Sequence, residues 1–379
     1  MLSYLDNAAS TPLRPEAAQV IRDAAEGAYS GNPSGSHAVA RRAKYALEEA
    51  REVFAACLGA RPAEMVFTSG GTESDNLAIA GAVARRGGIP VCPATEHHAV
   101  LRTVEKLGGR VVGVRSDGRV DLEKLAASLG PDVTVVSVML VNNETGVVND
   151  LVPVARLIRK RAPGAILHTD AVQAFPWSDL AAVAAPAALV SVSAHKFGGP
   201  IGVGALVVRE RSAIDPIVSG GEQERSLRSG TQDVAGVVAA SAAARATVAA
   251  RSVELPRIAG LADRLVGGIV GGVEGVRPTV PAGVPKVPGI AHITVEGIES
   301  EELLVLLDEA GVCASAGSAC ASGAAEPSHV LTAMGMSAAA AGSAVRFSLG
   351  WATTEGEVDH AIGAMVEAVG RLRRSAVPG

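Results

Sequence analysis

Apolar positions along this chain fall into two rhythms. Short unbroken apolar runs read as buried strands, and longer stretches whose apolar positions recur near every 3.6 residues read as helices. Residues 65–68 form the first strong strand, Ser69-Gly70-Gly71-Thr72 a glycine turn, and 73–85 a helix. Ahead of them, 39–58 carries alanines, Leu47, Val53 and Phe54 at helical spacing, with Ser36 as its expected N-cap. Further strands are expected at 89–92, 110–114, 133–141, 165–169, 187–193 and 202–209, separated by helical stretches. Strands alternating with helices predict an α/β fold with a mostly parallel sheet flanked by helices.

The rhythm changes after Thr231. A long helical stretch, 234–270, leads into a Pro/Gly-rich segment at 275–289 and then into short strands and helices. The expected division is a large domain over 13–250 and a smaller α+β domain built from 1–12 and 251–379. The first dozen residues pack on the second domain in this reading, and the tail 371–379 is frayed.

Composition narrows the function classes. Of 379 residues, 48% are hydrophobic but only 3% aromatic, so the core must be built from Ala, Val and Leu. A net charge of −5 gives no basic face for nucleic acid. The first residues carry neither a basic start nor an apolar run, so no signal peptide is expected. The most apolar stretch, 234–250, is interrupted by Arg245 and reads as a buried helix, with no membrane partner. Cys57, Cys92, Cys313 and Cys320 lack zinc-type spacing and are too few for a disulfide scaffold, which fits a reducing cytoplasm. Cys57 and Cys92 are expected as small buried hydrophobes, and Cys313 as structural.

The candidate chemistry centres on Lys196, in Ser193-Ala194-His195-Lys196, and on Asp170, in Thr169-Asp170-Ala171-Val172-Gln173. Each follows an apolar strand, and open α/β sheets bind ligands at the carboxyl ends of their strands. A lysine amine can hold the aldehyde of pyridoxal phosphate while an aspartate keeps the ring nitrogen protonated. Gly70-Gly71-Thr72 opens a helix after a strand, a place suited to a phosphate. His97, in Thr95-Glu96-His97-His98, is placed to stack on a flat ring. Arg346 follows an uncharged stretch and can grip a carboxylate through two hydrogen bonds. Cys320 lies in 311–326, where twelve of sixteen residues are Ala, Gly or Ser. That composition predicts a mobile loop bearing a nucleophilic thiol.

Taken in order, Gly-Gly-Thr-Glu, Thr-Glu-His-His, Asn-Asn-Glu-x-Gly, His-x-Asp-Ala-x-Gln, Ser-x-His-Lys, Arg-Ser-Gly-Thr, Gly-Ser-Ala-Cys and Arg-Phe-Ser-Leu-Gly run from residue 70 to 350. This series closely resembles the cysteine desulfurases of iron–sulfur cluster and nitrogen-fixation systems, which are class V aminotransferase-like enzymes of the fold type I pyridoxal phosphate-dependent transferases. The likeness begins at Tyr4 and extends over nearly the whole chain.

The resemblance implies a set of roles. Lys196 holds the cofactor aldehyde, Asp170 pairs with the ring nitrogen, Gln173 with the ring oxygen, and His97 stacks on the ring and exchanges protons. Gly71, Thr72, Ser193 and His195 bind the phosphate. Thr231 reaches the phosphate of a neighbouring subunit, which implies a homodimer. Asn32, Asn143 and Arg346 bind L-cysteine, with Arg346 on its carboxylate, and Asn143 also faces the cofactor. Cys320 takes the sulfur as a persulfide, yielding L-alanine, and passes it to a sulfur-acceptor protein for cluster assembly or thiolation. No resident metal is implied, with Cys320 at most a transient ligand of an iron–sulfur cluster. A selenocysteine lyase or an aminotransferase on the same fold is the alternative, and Cys320 discriminates, because transamination needs no loop thiol. Ala194, Ile201, Trp351 and Asn149 stand where the family more often has Gly, Lys, Arg and Gln, and none is a reacting group.

Overall fold

The computed structural model describes residues 1–210, 213–317 and 327–375. Its strands are β1 (Ser3–Tyr4), β2 (Met65–Thr68), β3 (Ile89–Pro93), β4 (Arg110–Val112), β5 (Val133–Ser137), β6 (Ile166–Asp170), β7 (Leu189–Ser193), β8 (Gly204–Val208), β9 (Val276–Pro278), β10 (Ile290–Val295), β11 (Val312–Cys313) and β12 (Ala344–Ser348).

Seven strands form the main sheet in the order β2-β8-β7-β6-β5-β3-β4. β8 runs antiparallel to both β2 and β7, and the remaining pairs are parallel. All strands except β8 therefore point one way, so β2, β3, β5, β6 and β7 release their chains at the same edge. β5, β6 and β7 are buried at every position, as parallel strands covered on both faces must be.

The two faces of this sheet are covered differently. Helix Gly71–Arg86 and helix His98–Lys106 lay Leu77, Ile79 and Val100 against Val135, Leu189 and Leu206. On the other face, helix Ala38–Leu58 and the first half of helix Val234–Gly272 enclose the larger cluster. Four of the five phenylalanines meet there. Phe54 lies 6.2, 6.5 and 5.9 Å from the ring centres of Phe67, Phe175 and Phe197. Scarce aromatics are thus concentrated at one place, and alanine packing fills the rest.

A separate apolar cluster joins Leu5, Leu261, Leu265, Ile293, Phe347, Val358 and Met365. It lies around an antiparallel sheet of order β12-β10-β9 and a parallel β1-β11 pair. Helix Val234–Gly272 passes through residue 250 without a break, although Pro256 removes one donor from its interior. By length and hydropathy this helix could cross a membrane, but half of its most apolar window is buried within the protein.

Several local expectations are corrected. His37, not Ser36, caps helix Ala38–Leu58, its ring nitrogen accepting from Ala40 N. The strand expected over 133–141 ends at Ser137. Residues 138–141 remain buried, and Val138 N and Leu140 N still donate to the His168 and Asp170 carbonyls of β6, while the Leu140 carbonyl accepts from Asn149 N. The tail is helical to Ser375.

Candidate active site

The site lies where the strands of the main sheet release their chains. After β2, Gly70 takes φ +152°, a conformation that favours glycine, and Gly71 begins a helix of 16 residues. Space there is tight. A Cβ on Gly71 would lie 2.8 Å from Val172 Cγ2, and one on Gly204 would lie 2.6 Å from Gly70 Cα. These glycines let the turn, β8 and the Asp170–Gln173 segment close on one another, and the first helical residues, Gly71 and Thr72, line the resulting cavity.

That cavity encloses about 290 Å³. Gly71, Thr72, His97, Asn143, Asp170, Gln173, Ser193, His195, Lys196 and Arg346 all line it. Five strand ends supply most of them: β2 leads to Gly71 and Thr72, β3 to His97, β5 to Asn143, β6 to Asp170 and Gln173, and β7 to Ser193, His195 and Lys196. Arg346 comes from the middle of β12, in the other cluster.

An N-terminal strap crosses this cavity. Lys196 Nζ donates to the carbonyls of Ala8 and Ala9 at 2.7 and 2.8 Å, and Gln173 Nε2 donates to the same Ala8 carbonyl at 2.6 Å. Thr11 Oγ1 donates to the Lys196 carbonyl, and Ser10 Oγ lies 3.3 Å from His195 Nδ1. The strap is itself tied to β12, because Asn7 Nδ2 and Asn7 N both donate to the Ser348 carbonyl.

Burial dominates the electrostatics. Asp170 is pushed up to about 6 by burial, while the Val172 amide and the Lys196 ammonium pull in the opposite direction. Beside it, burial and the charge of Asp170 drive Asp75 well above the ordinary carboxyl range. Asp75 Oδ1 has no hydrogen-bond partner among the described residues. Burial, followed by Lys196, lowers His97 to about 4 and His195 to about 4. Both rings are therefore neutral at physiological pH. His97 Nδ1 accepts from Ala99 N, which leaves the proton of the neutral ring on Nε2.

Arg346 is almost fully buried. Its Nη2 donates to Asp6 Oδ1 at 2.8 Å and its Nη1 to the Asn143 carbonyl at 2.9 Å, while Nε has no partner among the described residues. Asn143 is held by a tight turn in which Asn142 Oδ1 accepts from Glu144 N, Thr145 N and Thr145 Oγ1. Glu144 is buried beneath that turn and accepts from Ser328 Oγ. His329 follows, its Nε2 donating to the Glu96 carbonyl at 2.9 Å and its ring stacked 4.4 Å from that of His98.

Two candidate residues lie away from the cavity. Asn32 is exposed, its Oδ1 accepting from Ser34 N. Thr231 is exposed and borders a separate hollow with Thr68, Arg228 and Asp233. Cys320 lies outside the described residues. Of the other cysteines, Cys92 is buried, Cys57 half-buried, and Cys313 sits in β11. The cavity also takes in Ala8, Ala9, Asp75, His98 and His329, which sequence reasoning did not select. His98 had a signal as the neighbour of His97. The strap carbonyls had none, since any residue type supplies a carbonyl.

A family model described as Aminotransferase class-V matches residues 3–360. The chain is 42% identical over 391 residues to an IscS-like cysteine desulfurase of Mycobacterium tuberculosis (strain ATCC 25618 / H37Rv), covering 99% of this chain and 98% of that protein. It is 35% identical to a cysteine desulfurase IscS of Dictyoglomus turgidum (strain DSM 6724 / Z-1310), covering 98% and 95%. Among solved structures, a NifS-like protein superimposes with a TM-score of 0.90 at 33% identity, covering 98% of this chain and all of that one.

Proposed function

The chain belongs to the class-V aminotransferase family, and we propose that it is an L-cysteine desulfurase that uses pyridoxal 5′-phosphate and collects sulfur as a persulfide on Cys320. The observation that carries this reading is the meeting of Lys196, Asp170, His97 and Arg346 in one cavity.

The residues fit the cofactor. The glycine turn brings Gly71 and Thr72 to the cavity wall, and a helix start is a place suited to a phosphate. The buried carboxyl of Asp170 accepts a hydrogen bond from Val172 N and lines the cavity together with Lys196. Gly71, Thr72, Ser193 and His195 would hold the phosphate, Asp170 the ring nitrogen, Gln173 the ring oxygen, Asn143 the ring's substrate side and Lys196 the aldehyde. When bound, the group supplies an aldehyde that links to amines and a ring that draws electrons from the adjoining carbon.

This chain's side chains then divide the work. Arg346 holds the cysteine carboxylate, and Asn143 and Asn32 orient the amino acid. Lys196 Nζ would hold the aldehyde in the resting enzyme and would accept the substrate's α-proton. The neutral His97 ring covers the site and exchanges a proton at Nε2, because Nδ1 accepts from Ala99 N. The Cys320 thiolate attacks the substrate sulfur, so a sulfur–sulfur bond forms as the carbon–sulfur bond breaks. The bonding pair stays with the β-carbon, which takes a proton, and return of the α-proton from Lys196 completes L-alanine. Cys320 then passes the outer sulfur to an acceptor protein.

The same reading includes a homodimer, in which the exposed Thr231 reaches the partner's phosphate. It includes a large cofactor-binding domain over 13–250, a small domain of 1–12 and 251–379, and a cytoplasmic location. The test is to add L-cysteine to the purified protein and measure alanine and protein-bound persulfide. One alanine per persulfide on Cys320 is expected, and a borohydride adduct at any lysine other than Lys196 would overturn the assignment.

A further inference from the structure

Arg346 is the substrate-carboxylate residue in the reading above, yet its guanidinium already holds a carboxylate of this chain. Asp6 Oδ1 accepts from Nη2 at 2.8 Å, with side-chain exposures of 20% for Asp6 and 2% for Arg346. The Asp6 backbone is fixed, since its carbonyl accepts from the Tyr4 hydroxyl and residue 6 bridges to Ser348. Arg346 is equally fixed by the Asn143 carbonyl and by its place in β12. What remains for a ligand is the buried Nε and the outer N–H directions of the fork.

We propose that Asp6 is a specificity-determining residue, a resident carboxylate that competes with the substrate carboxylate for Arg346. This rests on the desulfurase reading. A carboxylate arriving at Arg346 meets a cation whose charge is already balanced, and it must share the guanidinium or displace Asp6. Two like charges around one cation repel. The consequence is deliberately weak retention of α-carboxylates, so the product, which carries the same carboxylate as the substrate, is readily released. A ligand with a second negative charge on that side is disfavoured further.

The sign of the effect separates this role from scaffolding. Asp6→Asn keeps an oxygen to accept from Nη2 and removes only the charge. If Asp6 competes, the variant holds L-alanine about three- to tenfold more tightly than the parent, as expected for releasing a part-buried ion pair. Cysteamine, which has the amine and thiol but no carboxylate, binds both proteins alike. The measurement is an equilibrium absorbance titration of the cofactor-loaded dimer with each ligand, so it does not depend on turnover. Steady-state kinetics adds a second readout: KM for L-cysteine falls and kcat does not rise. Unchanged or weaker alanine binding, or equal shifts for alanine and cysteamine, overturns the proposal. Asp6→Ser, which also removes the charge, repeats the test with the same expected sign should the asparagine variant not fold. Failure of the desulfurase reading looks different: the parent protein makes no alanine from L-cysteine.

Discussion

Ser328 donates its hydroxyl hydrogen to the buried Glu144 carboxylate, joining positions 184 residues apart. The same oxygen, Glu144 Oε2, would lie 2.9 Å from a Cβ on Gly317, whose φ is +66°. Both flanks of the chain that carries Cys320 therefore rest on one carboxylate. Burial raises the Glu144 pKa, and the Ser328 hydroxyl, Arg346 and His98 act against that rise.

Ser328→Ala removes the hydroxyl and leaves the carboxylate short of a donor, at a cost of about 1–3 kcal/mol. The expected outcome is slower persulfide formation on Cys320 with an unchanged cofactor absorbance. Rapid-mixing kinetics with trapping of the persulfide measures the first, and a spectrum of the resting protein the second. Gly317→Ala should produce the same pattern, through strain at a left-handed position.

Lys196→Ala should leave a folded protein that yields no borohydride adduct. Alanine formation should fall by about a hundredfold or more, the usual scale for removing a positioned acid–base group. Peptide mass mapping and an alanine assay check the two halves of this statement.

The neutrality of His97 predicts a specific pH dependence. Its folded-state pKa of about 4 lies below the ordinary 6.5, so folding favours the neutral ring. Its contribution is complete above pH 6.5 and is lost as pH falls toward 4, on the order of 2 kcal/mol. Denaturant unfolding of the apoprotein at pH 7 and pH 4.5 measures the loss. His97→Gln should show a smaller difference between the two pH values than the parent.

Arg51 and Glu224 form a bidentate pair at 2.8 and 2.7 Å, buried to 3% and 1% side-chain exposure. Glu224 also accepts from Phe67 N, and it belongs to three consecutive non-glycine residues at positive φ, Glu224, Arg225 and Ser226. Such backbone persists only where surroundings hold it. Glu224→Gln would leave the Arg51 charge buried without its counterion, and unfolding in denaturant should show a loss of about 3–5 kcal/mol.

Side-chain chemistry was legible in the sequence where a residue type is scarce or conformationally special. A lysine and an aspartate at adjacent strand ends, a glycine turn into a helix and an arginine after an uncharged stretch each carry a physical signature, and all four line the cavity. The strand Met65–Thr68 was readable because glycines and charges bracket a short apolar run. Strand 133–141 was overread by four residues, since hydrophobicity reports burial, and buried residues 138–141 bond both to β6 and to the turn at Asn149. The grip of Ala8 and Ala9 on Lys196 was invisible for a related reason. It uses main-chain carbonyls 188 and 187 residues away, and nothing in an alanine announces it. His329 was equally silent, because its place beside His98 depends on how two distant segments dock.

The strap has a consequence for biosynthesis. Asn7 is satisfied by Ser348, 341 positions later, so this tie waits for a segment made much later. At ribosomal speeds of about 5–20 residues per second, that delay is tens of seconds. Until then Arg346 does not yet exist, so a nascent chain can fold its main sheet without acquiring a competent reaction centre.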